Sequence, residues 1–211
     1  MKEGADKAFI VNLNGFRGFI SSRFSANPTD WRDHLIYGVK MNDIESLKLE
    51  FYENPSNSFE IKESGRRNYS MNRLIDGSHV DFDTIRVLNL LTSFNDVRFE
   101  AFLDDVSQHR RDSIINSPFQ ERLTVTTKDG KSKSVTTYTM KINADAFGLM
   151  EDSWDVDPDH KYALISEGNE FVLIQDFVFS KLLKPAYYYE KDYVEPVSVI
   201  EYKELEEVKS R

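Results

Sequence analysis

The stretch Phe171–Leu183, FVLIQDFVFSKLL, passes from a β-type apolar run into a helix-type one. Phe171 to Ile174 is continuous and apolar, as a buried strand requires, while Phe179, Leu182 and Leu183 fall at i, i+3 and i+4, one face of a helix. The same pattern is written once before. Phe9, Ile10 and Val11 align with Val172, Leu173 and Ile174, and Phe16, Phe19 and Ile20 align with Phe179, Leu182 and Leu183. Matching apolar positions at a fixed offset predict two related units, the first incomplete at its front. Immediately ahead of Phe171, the run Tyr162 to Ile165 and the turn residues Glu167-Gly168-Asn169 predict a hairpin that leads into the helix, with Pro185 closing it.

Further out, β signals dominate. Leu123–Thr127 and Val135–Ile142 are β-branched on both sides of Lys128-Asp129-Gly130-Lys131, which predicts a hairpin through an Asp-Gly turn. Ile44–Glu53 and Phe59–Ile61, joined by Asn54-Pro55-Ser56-Asn57, predict another. Arg66–His79 is polar and reads as a loop with at most one short strand. A helix follows, capped by Asp81 or Asp83, with Ile85, Leu88 and Leu91 beside Val87, Leu90 and Phe94 on its apolar face. Val97–Leu103 alternates as one strand, Asp104–Asn116 reads as an exposed helix, Ala144–Pro158 as an acidic loop, and Val197–Tyr202 as a last strand. The fold class is α+β, mainly antiparallel hairpins with short helices in two related hairpin-plus-helix units. A soft seam near Asp104 divides residues 1–103 from 104–211.

Composition narrows the function. The chain has 211 residues, 40% of them hydrophobic and 13% aromatic, which is enough to bury a core. A net charge of -9 argues against nucleic acid and anionic lipid, whose binding is driven by clustered Lys and Arg. With no cysteine there is no disulfide framework, thiolate metal site or cysteine nucleophile. No apolar run approaches the roughly 18 residues of a membrane span.

The stretch Gly15-Phe16-Arg17-Gly18-Phe19-Ile20, with Arg23-Phe24 and Asp30-Trp31-Arg32-Asp33, resembles a family of bacterial envelope proteins whose domain has no assigned function. Ser117-Pro118, Asp157 with Tyr162-Ala163-Leu164, and Gln175 with Phe177-Val178-Phe179 are similar too. Some members are encoded beside gliding-type ABC transporter genes. The resemblance implies a periplasmic location, protein partners among envelope or transporter components, and an anchored first half upstream of this chain. Those expectations come from the resemblance alone.

The candidate sites are weak as motifs. Asp155, Asp157 and Asp159 with His160 resemble the start of a calcium loop, but His160 stands where glycine is needed and Ser166 where a bidentate Glu is expected. An acidic turn before a strand is the better reading. The histidines lack metal-ligand spacing, and no G-x-S-x-G elbow or phosphate loop occurs. Neither a metal nor a cofactor is expected. Trp31 and Arg32 are residue types that dominate interfaces, although Trp31 also suits a plug at the core edge. Tyr187, Tyr188 and Tyr189 form the second candidate patch, with at least one ring turned inward. The leading expectation is a non-enzymatic extracytoplasmic interaction domain. The alternatives are a hydrolase using carboxylates of residues 152–159 and a binder of sugar-like ligands through the aromatics.

Overall fold

The computed structural model describes residues 31–65, 68–141 and 156–196. The chain divides into two compact units, residues 1–34 and 35–211. Of the first, only residues 31–34 are described, so the early copy of the strand-helix pattern, Phe9–Phe24, lies outside the described residues, as do Asp155 and Val197–Tyr202.

Among its described residues the second unit is α+β, with its strands paired antiparallel. Its strands are β1 (Leu35–Tyr37), β2 (Ile44–Phe51), β3 (Phe59–Gly65), β4 (Asn68–Arg73), β5 (Val97–Arg98), β6 (Ala101–Phe102), β7 (Glu121–Thr127), β8 (Ser132–Lys141), β9 (Val156–Ile165) and β10 (Glu170–Gln175). Its helices are α1 (Thr84–Ser93), α2 (Gln108–Ile115) and α3 (Asp176–Phe179). Eight strands form one sheet in the order β4-β3-β2-β7-β8-β9-β10-β6, and β1 pairs with β5 in a separate two-stranded ribbon. The main sheet therefore runs through the seam expected near Asp104, because β2 pairs with β7 and β10 pairs with β6 across it.

Strict alternation sends Leu47, Leu49, Ile61, Leu123, Val125, Val135, Ala163, Ile165, Val172 and Ile174 to one face of the sheet, where they are buried. Helix α1 adds Val87, Leu90, Leu91 and Phe94 to that core, at i, i+3, i+4 and i+7. Ile85, expected on the same stripe, is 70% exposed. It stands two residues before Val87, about 200° round the helix, so the stripe that faces the sheet leaves it outside. The Asp83 carboxylate caps α1 by accepting from the amides of Ile85 (2.8 Å) and Arg86 (3.1 Å). On the opposite face Tyr138, Tyr162 and Phe171 form a smaller cluster, against which Ile114 and Ile115 of α2 pack.

Three expectations change. Val97–Leu103 is two short strands in different sheets: the chain leaves β1 after Arg98, buries Phe99 against the Phe102 ring, and joins β10 where the Glu100 amide donates to the Leu173 carbonyl. The helix after β10 lasts one turn. Beyond Phe179 the amides of Leu182 and Leu183 both donate to the Phe179 carbonyl, and this compact turn buries Phe179, Leu182 and Leu183 without a longer helix. The acidic segment is strand from Val156 onward, so Asp157 and Asp159 lie in β9. Pro158 is tolerated there because the β10 ladder stops at the pair Gln175 and His160, leaving no β10 partner that needs its missing amide. In addition, Asn68–Arg73 forms a full strand, β4, with Met71 as its one wholly buried residue.

Candidate binding cleft

Beside the β7-β8 hairpin a cleft of 660 Å³ opens. Its floor is the β7-β8 hairpin near Val125, Thr127, Lys131 and Lys133. One wall is β1 and the residues after it, Ile36 to Val39, and the other is the β9-β10 turn at Ser166 and Glu167. Each wall is fixed by bonds from the floor. The Tyr37 ring is buried edge-on against Phe94, and its hydroxyl donates to the carbonyls of Leu123 (3.1 Å) and Lys133 (3.2 Å), tying β1 to the hairpin. Burial pushes its phenol far up, so it stays a neutral donor. The Ser166 hydroxyl accepts from the Ser134 amide (2.8 Å) and the Ser166 amide donates to the Ser134 carbonyl, which ties the far wall to the hairpin as well.

Charge at the mouth is arranged in pairs. The Lys133 ammonium donates to the Ile36 carbonyl (2.9 Å) and pairs with Glu167, whose carboxyl is held below the ordinary range by that hydrogen bond and by the lysine's charge. Lys131 pairs with Asp129 (2.8 Å), and Lys128 at the hairpin tip pairs with Glu63 of β3. A second depression, of 540 Å³, shares Gly38, Val39, Thr127 and Asp129 with the first and carries the groove on to Asp43 and Lys128. The cleft is thus apolar ground edged by paired charges.

The residues singled out in the sequence are distributed otherwise. Trp31 is 64% exposed, so it is not the core-edge plug expected, and Arg32 beside it is exposed too. Both belong to the unit of residues 1–34, whereas the tyrosines belong to the second. Tyr189 is buried against Phe59, Tyr188 is half-buried, and Tyr187 is 46% exposed with its ring against Tyr193. Only the outermost of the three offers a ring to a partner. Asp157 accepts from the amides of Asp159 (2.8 Å) and His160 (3.0 Å) and meets the His160 ring at 3.2 Å. Partial burial pushes its carboxyl up, but those amides and the imidazole outweigh that and hold it below the ordinary range. The other ring nitrogen of His160 faces Glu100 at 3.2 Å. A carboxylate so engaged braces the turn and the strand. Asp159 is exposed. No helix among the described residues is long and apolar enough to cross a membrane.

No family model, no curated protein and no solved structure matches the chain. The cleft was not singled out in the sequence, because its walls and floor come from three separated segments and none carries a motif. The nearest signal was the run Lys128-Asp129-Gly130-Lys131, which marks the hairpin tip without marking what lies beneath it.

Proposed function

We propose that this chain is a non-enzymatic interaction domain that acts on the extracytoplasmic side of a bacterial envelope and holds a protein partner in the cleft between β1, the β7-β8 hairpin and the β9-β10 turn. The observation that carries the reading is the cleft itself, whose walls are hydrogen-bonded to its floor and whose rim charges stand in ion pairs with at least one exposed member. Preorganised walls lower the ordering cost of binding, and rim pairs can be exchanged for a partner's charges at little net cost. The envelope location rests on the resemblance of Gly15–Phe24 and Asp30–Asp33 to envelope proteins.

The test is photo-crosslinking in the native cells, with the reactive amino acid at Ser132 on the cleft rim or at Asn89 on the outer surface of α1, both exposed. The expected result is a discrete adduct with an envelope protein from position 132 that position 89 does not give. Identical adducts from both positions would remove the cleft from the reading, and a cytosolic partner would remove the location.

A further inference from the structure

We infer that the cleft is a carboxylate-binding site in which Lys133 is the fixed cation, Glu167 is a replaceable internal counter-ion, and the ligand is an acidic side chain beside an apolar one in an extended protein segment. The inference rests on the interaction reading above and supplies the chemistry of the partner.

The two members of the Lys133–Glu167 pair are unequal. Lys133 leaves β8 with a side chain only 29% exposed, and its ammonium is pinned against the Ile36 carbonyl at 2.9 Å. An ammonium has three donors, and the pinning bond to Ile36 leaves the donor that meets Glu167 open to exchange. Glu167 arrives from the solvent side, on a single turn between β9 and β10, with a side chain 71% exposed. Leaving a half-buried ammonium without an anion is costly, whereas returning an exposed carboxylate to water is nearly free. An incoming carboxylate can therefore take the place of Glu167 on a cation that is already positioned. The neighbouring groove selects what that carboxylate is attached to. Gly38 is exposed and Val39 half-buried at the mouth, above Ile36 and Val125, which gives an apolar side chain a wall to rest on. Continuation of the groove past Val39 to Asp43 and Lys128 accommodates several residues of extended chain, more than a small acid occupies. Lys128 and Lys131 at the hairpin tip lie along that path already paired, with Glu63 and Asp129, so the exchange turns on Lys133.

The proposal is tested by titrating isotope-labelled protein with the blocked peptide acetyl-Ala-Val-Glu-Val-Ala-amide, its Gln twin, and hexanoate, reading amide shifts by NMR. Expected are shifts at Val39, Lys133 and Glu167 with the Glu peptide and none with the Gln twin. Lys133→Gln is expected to weaken binding about tenfold or more, the cost of losing a charged hydrogen bond. Glu167→Ala is expected to tighten it at least about twofold, because the internal competitor is gone. Opposite signs from the two members of one ion pair are the signature of exchange. If both substitutions weaken binding alike, the pair is a structural tie and the proposal falls; hexanoate binding as tightly as the peptide would likewise overturn the peptide ligand in favour of a small acid. Should Lys133→Gln lose its folded spectrum, the sign of the Glu167→Ala effect decides alone. Failure here beside a specific adduct from position 132 would leave the interaction domain standing with a different ligand chemistry.

Discussion

Asp129 carries the turn of the β7-β8 hairpin, and its protonation has a measurable consequence. Its carboxylate accepts from the Lys131 ammonium (2.8 Å), from the Thr127 hydroxyl, and from the Lys131 amide (3.3 Å), while Gly130 takes the left-handed conformation, φ 81°, that the turn needs. These bonds hold its carboxyl at about 2. An unfolded chain would protonate it near pH ~3.9, so its contribution is complete above that pH and is lost as pH falls towards 2. Asp129→Asn is therefore expected to flatten the stability profile between pH 4 and pH 2, measured by urea unfolding at a series of pH values. An acid limb unchanged by the substitution would show that the turn does not report on global stability. The residue was legible as a turn former from Asp-Gly alone; its link to the cleft was not, because Lys131 and Lys133 acquire meaning only when β1 lies alongside them.

At the scale of elements, the segment from Ala186 to Tyr193 is a strap closed by one arginine. Arg86 of α1 donates to the carbonyls of Tyr188 (3.0 Å), Glu190 (3.2 Å) and Tyr193 (3.0 Å), and its guanidinium lies over the Tyr188 and Tyr193 rings. Arg73 pairs with Glu190, Lys191 with Asp81, and the Tyr189 ring seats against Phe59. Lysine lacks the planar fork that serves three carbonyls at once. Arg86→Lys is expected to cost about 1–3 kcal/mol by chemical denaturation and to expose the Tyr193 region to protease. Resistance equal to that of the parent would mean that the other ties, Tyr189 on Phe59 with the Glu190 and Lys191 ion pairs, hold the strap without it. The elements that were legible had a period and a cap: α1 behind Asp83, and β7-β8 with threonines and valines around Asp-Gly. Those that were not lacked one or the other. β4 has only Met71 wholly buried, so its alternation is nearly silent. The segment from Val97 to Leu103 alternates perfectly yet changes sheet at Phe99, a tertiary choice no local period encodes. The helix after β10 stops at one turn because Leu182 and Leu183 reach the core from a turn as well as they would from a helix.

For the molecule as a whole, the main sheet is the unit of cooperativity. β7 lies between β2 and β8, and β10 between β9 and β6, so strands from before and after Asp104 alternate as neighbours at two places. Residues 35–103 and 104–196 expressed apart are each expected to lack a cooperative unfolding transition and slow amide exchange, since β7 and β10 would each lose a partner. A folded 104–196 fragment would mark the seam near Asp104 as a true boundary. The α+β class was readable from the succession of hairpins around one apolar helix, whereas the joining of those hairpins into one sheet depends on pairings of residues such as Leu49 with Leu123, far apart in the chain.

The ends of that sheet decide how the molecule behaves in company. At one end β10 is met by only two residues of β6, with the amides of Glu100 and Leu103 donating to it on either side. At the other, β4 is doubled back upon by Ser78 to Val80, which take up the Arg73 amide and the Met71 carbonyl. A ladder stoppered in this way gives a second copy little backbone to zip onto. Encounters between crowded molecules along these margins thereby meet side chains more than open backbone, and the route by which a sheet recruits its own kind into fibres is narrowed at both margins.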